Sequence, residues 1–503
     1  MHAPEFLQRG QLVAKSLAPF LLGALLKDSL PWSGENDPAQ LQKAELLCSR
    51  LEQLGPVFIK LGQLLSTRPD LLSPTYTDAL RRLQCSVSPM SHSCFQACLS
   101  EYINKLGSNP FASVESIPIA AASLAQVHRA TLTDGTQVAV KFRRHGVVQA
   151  VSQDLKLLAM AARLLQRLLP DAQKEIYDLP GMVEELAQSL VDELDLLREA
   201  ENLILFGRNL EQWKPLLSVP RVFEELCTDS VLVMELICGK PLSSRPIETC
   251  APAHKRRLAT ALAHAYFKMF FIDGIFHADP HPGNVLWTDE GNLVLLDFGM
   301  IGRIERQVSD NLVRVLLNFQ LRDSHGVAHA FLDIGKPSSR ADEIGWIMEV
   351  RRILPRYHGM RLERLNVGTL LIDLLRSAAR CGIQAPPIVA LLCKSLANMD
   401  GSARVVDPNI SVISVFREFL PQVLLEHAKR RASLEEAAKV ALDVSMGGAR
   451  IPFQLATILE KAATGRLRLV VDPLGNAELA KQVGSIGNKW LLGQLFSAFL
   501  SRR

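Results

Sequence analysis

The chain has no long apolar segment. Within its 503 residues there is no run of about 20 consecutive apolar residues, the length that a helix needs to cross a bilayer. Residues 490–500 are mostly apolar, but this run has 11 residues and contains Gln494. The sequence therefore predicts no membrane-spanning helix.

The chain also lacks the charge and cysteine patterns of several protein classes. Its net charge is only +4, and it has no basic stripe with interleaved aromatic residues, so we expect no nucleic-acid partner. Its nine cysteines show no paired spacing, which favours a reducing compartment over a disulfide framework. Cys94 and Cys98 are followed by no second pair, so we expect no zinc site. Repeats and low-complexity tracts are absent.

Two polar loops carry recognisable chemistry. Residues 277–284 read HADPHPGN, and residues 297–299 read DFG. Kinases place an Asp beside the acceptor hydroxyl, a Mg²⁺-binding Asn five positions later, and a second metal-binding Asp in a D-F-G sequence. Mg²⁺ prefers carboxylate and amide oxygens. The spacing predicts Asp279 as a catalytic residue and Asn284 and Asp297 as metal ligands.

The segment between the two loops has the pattern of a β-hairpin. Strand-like residues 284–287, apolar after Asn284, and the apolar residues 293–296 flank the turn-forming residues 288–292. Such a hairpin would hold the predicted catalytic and metal-binding residues within reach of one nucleotide. The alternative is a polar loop beside an unrelated D-F-G turn, because short motifs also arise by chance.

A lysine precedes these loops on a predicted strand. Residues 138–141 read VAVK and follow the turn dipeptide Asp134-Gly135. In kinases the lysine of this motif contacts the α- and β-phosphates, so we predict this role for Lys141. Taken alone, the V-A-V-K sequence could also place a lysine in solvent at the end of an edge strand.

An alanine-rich segment occupies the position where protein kinases have a G-x-G-x-x-G loop. Alanine reaches positive φ less readily than glycine, so we expect this loop to be stiffer and to hold nucleotide differently. The residues predicted to cover the phosphates are Ile119, Ala120, Ala121, Ala122, Ser123, Leu124, Ala125, Gln126 and Val127. The alternative is the N-terminus of a helix, or a site where small residues pack tightly.

The acidic partner of Lys141 is expected between residues 184 and 202. Apolar spacing predicts a helix over about 180–210, with Asp195 and Glu199 on one face. At roughly 100° per residue, Glu193 points about 200° away from Asp195, so the two carboxylates would have different partners. The alternative is an acidic face in solvent.

Beyond these motifs, the sequence resembles the UbiB/AarF/ADCK family of atypical kinases, protein-kinase-like proteins of isoprenoid-quinone metabolism. The resemblance adds the K-x-G-Q sequence at residues 60–63, the alanine-rich loop, and E-x-D at residues 193–195. It is strong from about 51 to 302 and looser to about 472. Family members in bacteria often end in transmembrane helices, but the apolar run at residues 490–500 is too short, so we expect none here.

The resemblance also implies roles for residues that the other motifs leave unassigned. In the family, the K-x-G-Q segment folds over the nucleotide pocket and contacts the E-x-D motif. This implies that Lys60, as a catalytic residue, and Gln63 lie at the nucleotide site, with Glu193 and Asp195 as their acidic counterpart. Glu199 would then pair with Lys141.

Other parts of the chain take their expected places from the same resemblance. Glu235 and Ile237 fall at the adenine-contacting hinge. The expected fold is α+β, a two-lobed protein-kinase-like fold with family-specific N-terminal and C-terminal helical extensions. The predicted divisions are an N-terminal helical segment (1–45), a K-x-G-Q extension (46–110), an N-lobe with a helical insertion (111–238), a C-lobe (239–435) and a C-terminal extension (436–503).

The expected function is that of an atypical kinase or ATPase that binds ATP and Mg²⁺. It would support isoprenoid-quinone biosynthesis, of the ubiquinone or plastoquinone type, or lipid homeostasis. Beyond ATP, the expected partners are quinone precursors or lipid, quinone-biosynthesis proteins and a membrane surface. The alternatives are a kinase for a small molecule, lipid or protein, and a non-catalytic nucleotide-sensing scaffold.

The expected location is cytoplasmic, peripheral at the inner face of a bacterial or organellar membrane. Two segments are candidate anchors: the apolar residues 17–26, and residues 490–500 with their flanking Lys489, Arg502 and Arg503. Aromatic and basic residues in this arrangement suit a helix that lies in the headgroup plane. The alternative for each segment is a helix packed on the kinase-like lobes.

Overall fold

In the computed structural model the chain consists of two units, residues 1–425 and residues 426–503. The described residues are 3–25, 38–66, 72, 74–80, 83, 89–169, 178–244, 250–338, 341–360 and 365–431. Of the second unit, only the end of the last helix is described. Leu26 and the predicted extension 436–503, with its apolar run 490–500, lie outside the described residues.

Helices form the N-terminal part of the chain. Their bounds are Ala3–Leu25 (α1), Pro38–Leu54 (α2), Pro56–Ser66 (α3) and Pro74–Leu80 (α4). Proline begins three of them, where its missing N–H costs no hydrogen bond. Gly55, at φ +99°, makes the turn between α2 and α3.

The K-x-G-Q helix α3 packs closely on its neighbours. A Cβ added at Gly62 would lie 2.3 Å from the side chain of Leu83 and 3.0 Å from that of Leu51. A side chain at position 62 would therefore require the leucine side chains around α3 to shift.

Two further helices share the core of this N-terminal part. They are Val147–Leu168 (α6) and Leu179–Leu194 (α7), and they belong to the insertion predicted after Lys141. Buried Val151 and Leu158 of α6 and Leu186 and Leu190 of α7 join the same apolar cluster as α2 to α4. The insertion and the K-x-G-Q helices are thus one packing unit.

An antiparallel sheet forms the smaller lobe. Its strands are Phe111–Val114 (β1), Ala120–Ala121 (β2), Ala125–Leu132 (β3), Gln137–Arg143 (β4) and Val231–Glu235 (β6). The order is β1-β3-β4-β6, with β2 also paired to β3. Helix His92–Leu106 (α5) covers one face: Phe95 stacks on His128 with ring centroids 4.0 Å apart. Packing therefore places α5 with the sheet, although the sequence assigns it to the extension 46–110.

The predicted continuous helix over 180–210 is wrong. Asp195, with φ −96° and ψ 97°, separates α7 from a second helix, Leu196–Asn209 (α8). Its carboxylate caps α8 by accepting a hydrogen bond from the N–H of Leu197 at 3.1 Å. Asp195 and Glu199 therefore do not share a helix face, because Asp195 is an N-cap residue outside the helix.

Short strands form two small sheets in the larger lobe. They are Leu217–Ser218 (β5), Gly239–Pro241 (β7), Ile275–His277 (β8), Val285–Thr288 (β9), Leu293–Leu295 (β10) and Ile301–Arg303 (β11). The predicted hairpin is confirmed: β9 and β10 pair antiparallel, with Trp287 opposite Leu293. Strands β5-β10-β9-β7 form one sheet and β8-β11 another.

Helices form the remainder of this lobe. Their bounds are Pro252–Lys268 (α9), Arg306–Gln320 (α10), Ser324–Leu332 (α11), Glu343–His358 (α12), Val367–Arg380 (α13), Pro387–Val406 (α14) and Val412–Arg431 (α15). Met269–Asp273 is a π-helical turn, Glu211–Trp213, Glu224–Leu226 and Leu242–Ser244 are 3₁₀ turns, and Lys336–Pro337 (β12) pairs with Ile383–Gln384 (β13).

The sheet lobe and the helical lobe confirm the predicted two-lobed α+β fold. The larger lobe has its own apolar core, which also takes in Leu196, Leu203 and Phe206 of α8. Helix α8 therefore belongs by packing to the larger lobe while its first turn faces β4. None of the described helices combines the length and apolar character needed to cross a membrane.

Candidate active site

A buried ion pair links the two lobes. Lys141 lies on the central strand β4, and its Nζ is 2.8 Å from both carboxylate oxygens of Glu199 on α8. The Asp297 carboxylate lies 3.5 Å from the same Nζ. The Glu199 side chain is only 4% exposed, whereas that of Asp297 is 54% exposed. Glu199 therefore fixes the lysine, and Asp297 remains open to the cleft.

Opposite charges keep Lys141 and Asp297 ionised, whereas burial raises the pKa of Glu199 above its usual range. Burial would lower the pKa of Lys141, but Glu199 and Asp297 raise it above its usual range. Burial would raise the pKa of Asp297, but Lys141 holds it below its usual range. The cleft thus holds a permanent cation beside an ionised carboxylate.

The D-F-G sequence holds a strained backbone. Asp297 has φ +61°, which non-glycine residues rarely adopt. The next residue anchors the turn: Phe298 packs on Phe206 and His277, with ring centroids 4.7 Å apart in each case. Asn202 also donates a hydrogen bond to the carbonyl of Phe298 at 2.9 Å. This packing supports the strain that presents Asp297 to the cleft.

His277 joins the two polar loops. Its Nδ1 accepts a hydrogen bond from the N–H of Asp279 at 3.0 Å, and its Nε2 lies 2.9 Å from the carbonyl of Leu296. Nδ1 is therefore an acceptor and Nε2 a donor, which is the neutral tautomer. Burial lowers the pKa of His277, in agreement with a neutral ring.

The Asp279 carboxylate is held by helix α14. Lys394 donates to Oδ2 at 3.2 Å, and Asn398 donates to Oδ1 at 2.7 Å. Burial raises the pKa of Asp279, but Lys394 and His281 outweigh it and lower the pKa below its usual range. Asp279 is therefore an oriented anion.

Asn284 and Asp297 supply the donor atoms that Mg²⁺ prefers. The Asn284 side-chain N–H donates to the carbonyl of Asp279 at 3.1 Å. This bond uses the amide nitrogen, so the amide oxygen is left as an acceptor. An amide oxygen and an open carboxylate are hard ligands, so the residues fit a hydrated Mg²⁺ that also binds phosphate.

The alanine-rich segment forms a β-hairpin. Ala120 and Ala121 pair with Val127 and Gln126, so the alternative of a helix N-terminus is wrong. The turn is tight: the Ala122 N–H donates to the carbonyl of Ala125 at 2.8 Å. No residue from 119 to 127, all of them described, has a positive φ. The hairpin thus differs from a flexible glycine loop, as alanine predicts.

Not every side chain of this hairpin faces the cleft. Val127 lies opposite Lys141 in the β3–β4 register, on the face that carries the lysine. Gln126 instead bonds to the ring of His128 at 2.6 Å and accepts from the Met90 N–H at 2.9 Å. Leu124 is buried in the core of the N-terminal helices. Of the predicted phosphate-covering residues, these two could therefore contribute only backbone. Ile119 precedes β2, and Ser123 lies in the bend between β2 and β3.

The K-x-G-Q and E-x-D motifs meet at Lys60 and Glu193. Lys60 Nζ lies 2.5 Å from Oε2 of Glu193. Gln63 donates to the carbonyl of Leu83 at 3.4 Å. Asp195, besides capping α8, lies 3.6 Å from Arg198. Lys60 and Glu193 are thus brought together, and Asp195 points to other partners.

Gly299 lies at the point where the acidic residues converge. A Cβ added there would be 3.4 Å from the Asp297 carboxylate, 3.7 Å from that of Glu199 and 3.8 Å from Cγ of Glu193. The pair formed by Lys60 and Glu193 therefore borders the site of Lys141 and Asp297.

The predicted hinge begins at the end of the sheet. Glu235 is the last residue of β6 and lies opposite Val138 of β4. Its carboxylate accepts from the Arg221 N–H at 3.1 Å. Ile237 follows the strand and is half-buried.

Motif reasoning missed Lys394, Asn398 and Asn202. Lys394 and Asn398 are 115 and 119 positions from Asp279 along the chain, within a helix rich in Leu and Ala. Their i,i+4 spacing, which puts both side chains on one face of a helix, was the one available signal.

Comparison with known protein families agrees with this geometry. Residues 82–331 match the ABC1 atypical kinase-like domain, and residues 350–411 match the UbiB helical domain. The chain is 33% identical to a probable protein kinase UbiB of Azotobacter vinelandii, over 84% of this chain and 79% of that one. It is 35% identical to an uncharacterised protein of Synechocystis sp., over 73% of this chain and 92% of that one.

A solved structure shares the fold. The structure of Rv3197 from Mycobacterium tuberculosis, in complex with erythromycin, aligns with a TM-score of 0.51 and 21% identity, over 83% of this chain and 98% of that one. Fold and site together define an atypical, protein-kinase-like protein. The chain belongs to the UbiB family, with an ABC1 kinase-like domain followed by a UbiB helical domain.

Proposed function

We propose that the chain binds Mg·ATP in the cleft between the sheet lobe and the helical lobe and catalyses phosphoryl transfer. The observation that carries this proposal is the buried contact of Lys141 with Glu199, with the Asp297 carboxylate beside it. Kinase-like catalysis requires this lysine–glutamate pair and this aspartate to be in place together.

Each residue has a role in this proposal. Lys141 contacts the α- and β-phosphates, and Glu199 keeps it in position. Asn284 and Asp297 hold Mg²⁺, which when bound neutralises phosphate charge. Asp279 orients the attacking oxygen. The alanine-rich hairpin covers the phosphates, and the backbone from Glu235 to Ile237 receives the adenine.

Water is the proposed acceptor when no other is bound. Its oxygen forms a bond to the γ-phosphorus, the bond to the ADP oxygen breaks, and the water proton leaves with the products. Because Asp279 is an oriented anion with a lowered pKa, we assign it to positioning this oxygen. Lys60 contacts Glu193 at the border of the site and adds positive charge there.

The biological role proposed is support of ubiquinone biosynthesis at a membrane surface, on the strength of the relatives named UbiB. In a strain that lacks the gene, the ubiquinone content should fall, and the wild-type chain but not an Asp279→Asn variant should restore it. An unchanged quinone content in the deletion strain would contradict this role.

Phosphate release tests the biochemical proposal. The purified full-length chain with Mg·ATP and no acceptor should release inorganic phosphate, and Asp279→Asn should release it at least about 10²-fold more slowly. Stimulation by quinone precursors or anionic liposomes would support action at a membrane. Transfer of labelled phosphate to a lipid or small molecule would instead identify a kinase, and nucleotide binding without phosphate release would identify a nucleotide-sensing scaffold.

A further inference from the structure

One face of helix α14 is bonded to the catalytic loop. Ser395 donates to the carbonyl of His277 and Ser402 to that of Pro280, each at 2.7 Å. Both serines are fully buried. Positions 394, 395, 398 and 402 lie on one side of a helix, since residues three or four apart are neighbours. The backbone on both sides of Asp279 is therefore fixed by α14.

The same face reaches the Asp279 carboxylate itself. Lys394 donates a hydrogen bond to Oδ2 and Asn398 donates one to Oδ1, so each oxygen has its own donor. The ion pair is partly shielded, with the side chains of Lys394 and Asp279 23% and 28% exposed. A carboxylate with one donor on each oxygen cannot rotate freely about its last torsion.

Helix α14 is itself rigidly placed. Asp400 is fully buried and bonded by Arg404 through both oxygens at 3.0 Å. Arg404 also donates to the carbonyl of Leu365 at 2.8 Å. A Cβ at Gly368 would lie 2.3 Å from the backbone of Ala397, so α13 and α14 are in close contact. The donors on α14 are thus held by a packed scaffold.

We propose that Lys394 and Asn398 are positioning residues for catalysis, which hold the Asp279 carboxylate in the orientation that aligns the attacking oxygen. Through them the helical domain at 350–411 completes the catalytic loop of the kinase-like domain. This inference rests on the proposed function and adds two residues to its machinery. Misplacement of a reacting group by about 1 Å can reduce turnover about 10²-fold.

The test uses the full-length chain with single substitutions. Lys394→Met and Asn398→Leu remove the donors at similar size, and Lys394→Arg keeps the charge. Lys156→Met is the matched control, because it removes one positive charge from the exposed surface of α6. Turnover is measured by phosphate release, Mg·ATP affinity by calorimetry, and folding by thermal unfolding.

We expect Lys394→Met to lower turnover about 10²-fold with nearly unchanged Mg·ATP affinity, as loss of alignment requires. Lys394→Arg should recover part of the rate, and Lys156→Met should equal the wild type. In the Asp279→Asn background, Lys394→Met should cause little further loss, because both act on one carboxylate. Full turnover in both Lys394→Met and Asn398→Leu, or additive losses, would overturn the inference.

A second measurement separates this inference from the proposed function. If the wild type releases no phosphate, the proposed function fails. The contact between Lys394 and Asp279 can still be tested by thermal unfolding. The melting-temperature shifts of Lys394→Met and Asp279→Asn should then be non-additive in the double variant. Additive shifts would overturn the pairing, and with it the inference, whatever the activity.

Discussion

The carboxylates of the cleft differ in what surrounds them. Glu199 is buried on Lys141, Asp297 is open beside the same lysine, and Asp279 is held by donors from α14. Two carboxylates in different environments can therefore do different work, one on metal and one on the attacking oxygen. Substitutions of these residues should therefore have different effects on turnover, nucleotide binding and stability.

The first prediction concerns Asp279. Asp279→Asn should lower turnover about 10²-fold or more, on the scale of losses for a group that acts on the nucleophile's proton. Mg·ATP affinity should stay close to that of the wild type, because Asp279 is not a predicted metal ligand. Phosphate release and calorimetry measure the two effects. Equal loss of binding and turnover would show that Asp279 is structural.

The second prediction concerns the buried pair. Lys141→Met leaves the Glu199 carboxylate buried without its cation, so the free energy of unfolding should fall by about 3 kcal/mol. Adding Glu199→Leu should recover most of this loss. Lys105→Met, which breaks an exposed pair with Asp229, is the control and should cost less than about 1 kcal/mol. Urea unfolding gives the values, and a loss as small as that of the control would contradict the account.

At the scale of elements, we expect the alanine-rich hairpin to be stiffer than a glycine-rich loop. Its turn closes on itself between Ala122 and Ala125, and Arg144 donates to the carbonyl of Ala122 at 2.9 Å. A glycine-rich loop would have more backbone freedom at the same place.

The third prediction follows from this stiffness. Ala121→Gly should loosen the backbone over the phosphates and tighten ATP relative to ADP. Ala112→Gly on the exposed edge strand β1 is the control, because it makes the same change in the same sheet away from the cleft. Titrations with both nucleotides measure the ratio. If the two affinities shift together or stay unchanged, the hairpin does not control phosphate recognition.

The sequence predicted an element correctly where the residues that determine it are close together in the chain. The hairpin β9–β10 follows from two apolar runs around a turn, and the strand of Lys141 from its motif. The break at Asp195 was missed, because apolar periodicity continues across it while the capping bond depends on how the chain turns. Lys394 was missed because its partner is 115 positions away, a distance over which periodicity carries no information.

For the whole molecule, the described part has three apolar cores. One lies between α5 and the sheet, one among the N-terminal helices with α6 and α7, and one in the larger lobe. The motifs predicted the lobes, but composition could not show that the insertion and the K-x-G-Q helices share a core. The terminal segment 490–500 lies outside the described residues, so its role stays a prediction from sequence.

The fourth prediction concerns the membrane. The chain should bind anionic liposomes peripherally, and high salt should release most of it, because salt screens attraction to the headgroups. Truncation after Gly487 should weaken binding. Liposome flotation at low and high salt measures both effects. Extraction by detergent alone would indicate an integral segment, and no binding would favour terminal helices packed on the protein.

Calorimetric titration with Mg·ATP tests the central claim most directly, namely that Asp297 and Lys141 form a metal–nucleotide site. The wild-type chain should bind Mg·ATP saturably. Asp297→Asn should abolish the part of binding that depends on Mg²⁺, because it removes the carboxylate that would hold the metal. Unchanged Mg·ATP affinity in Asp297→Asn, or wild-type affinity that is the same with the metal chelated, would contradict the account.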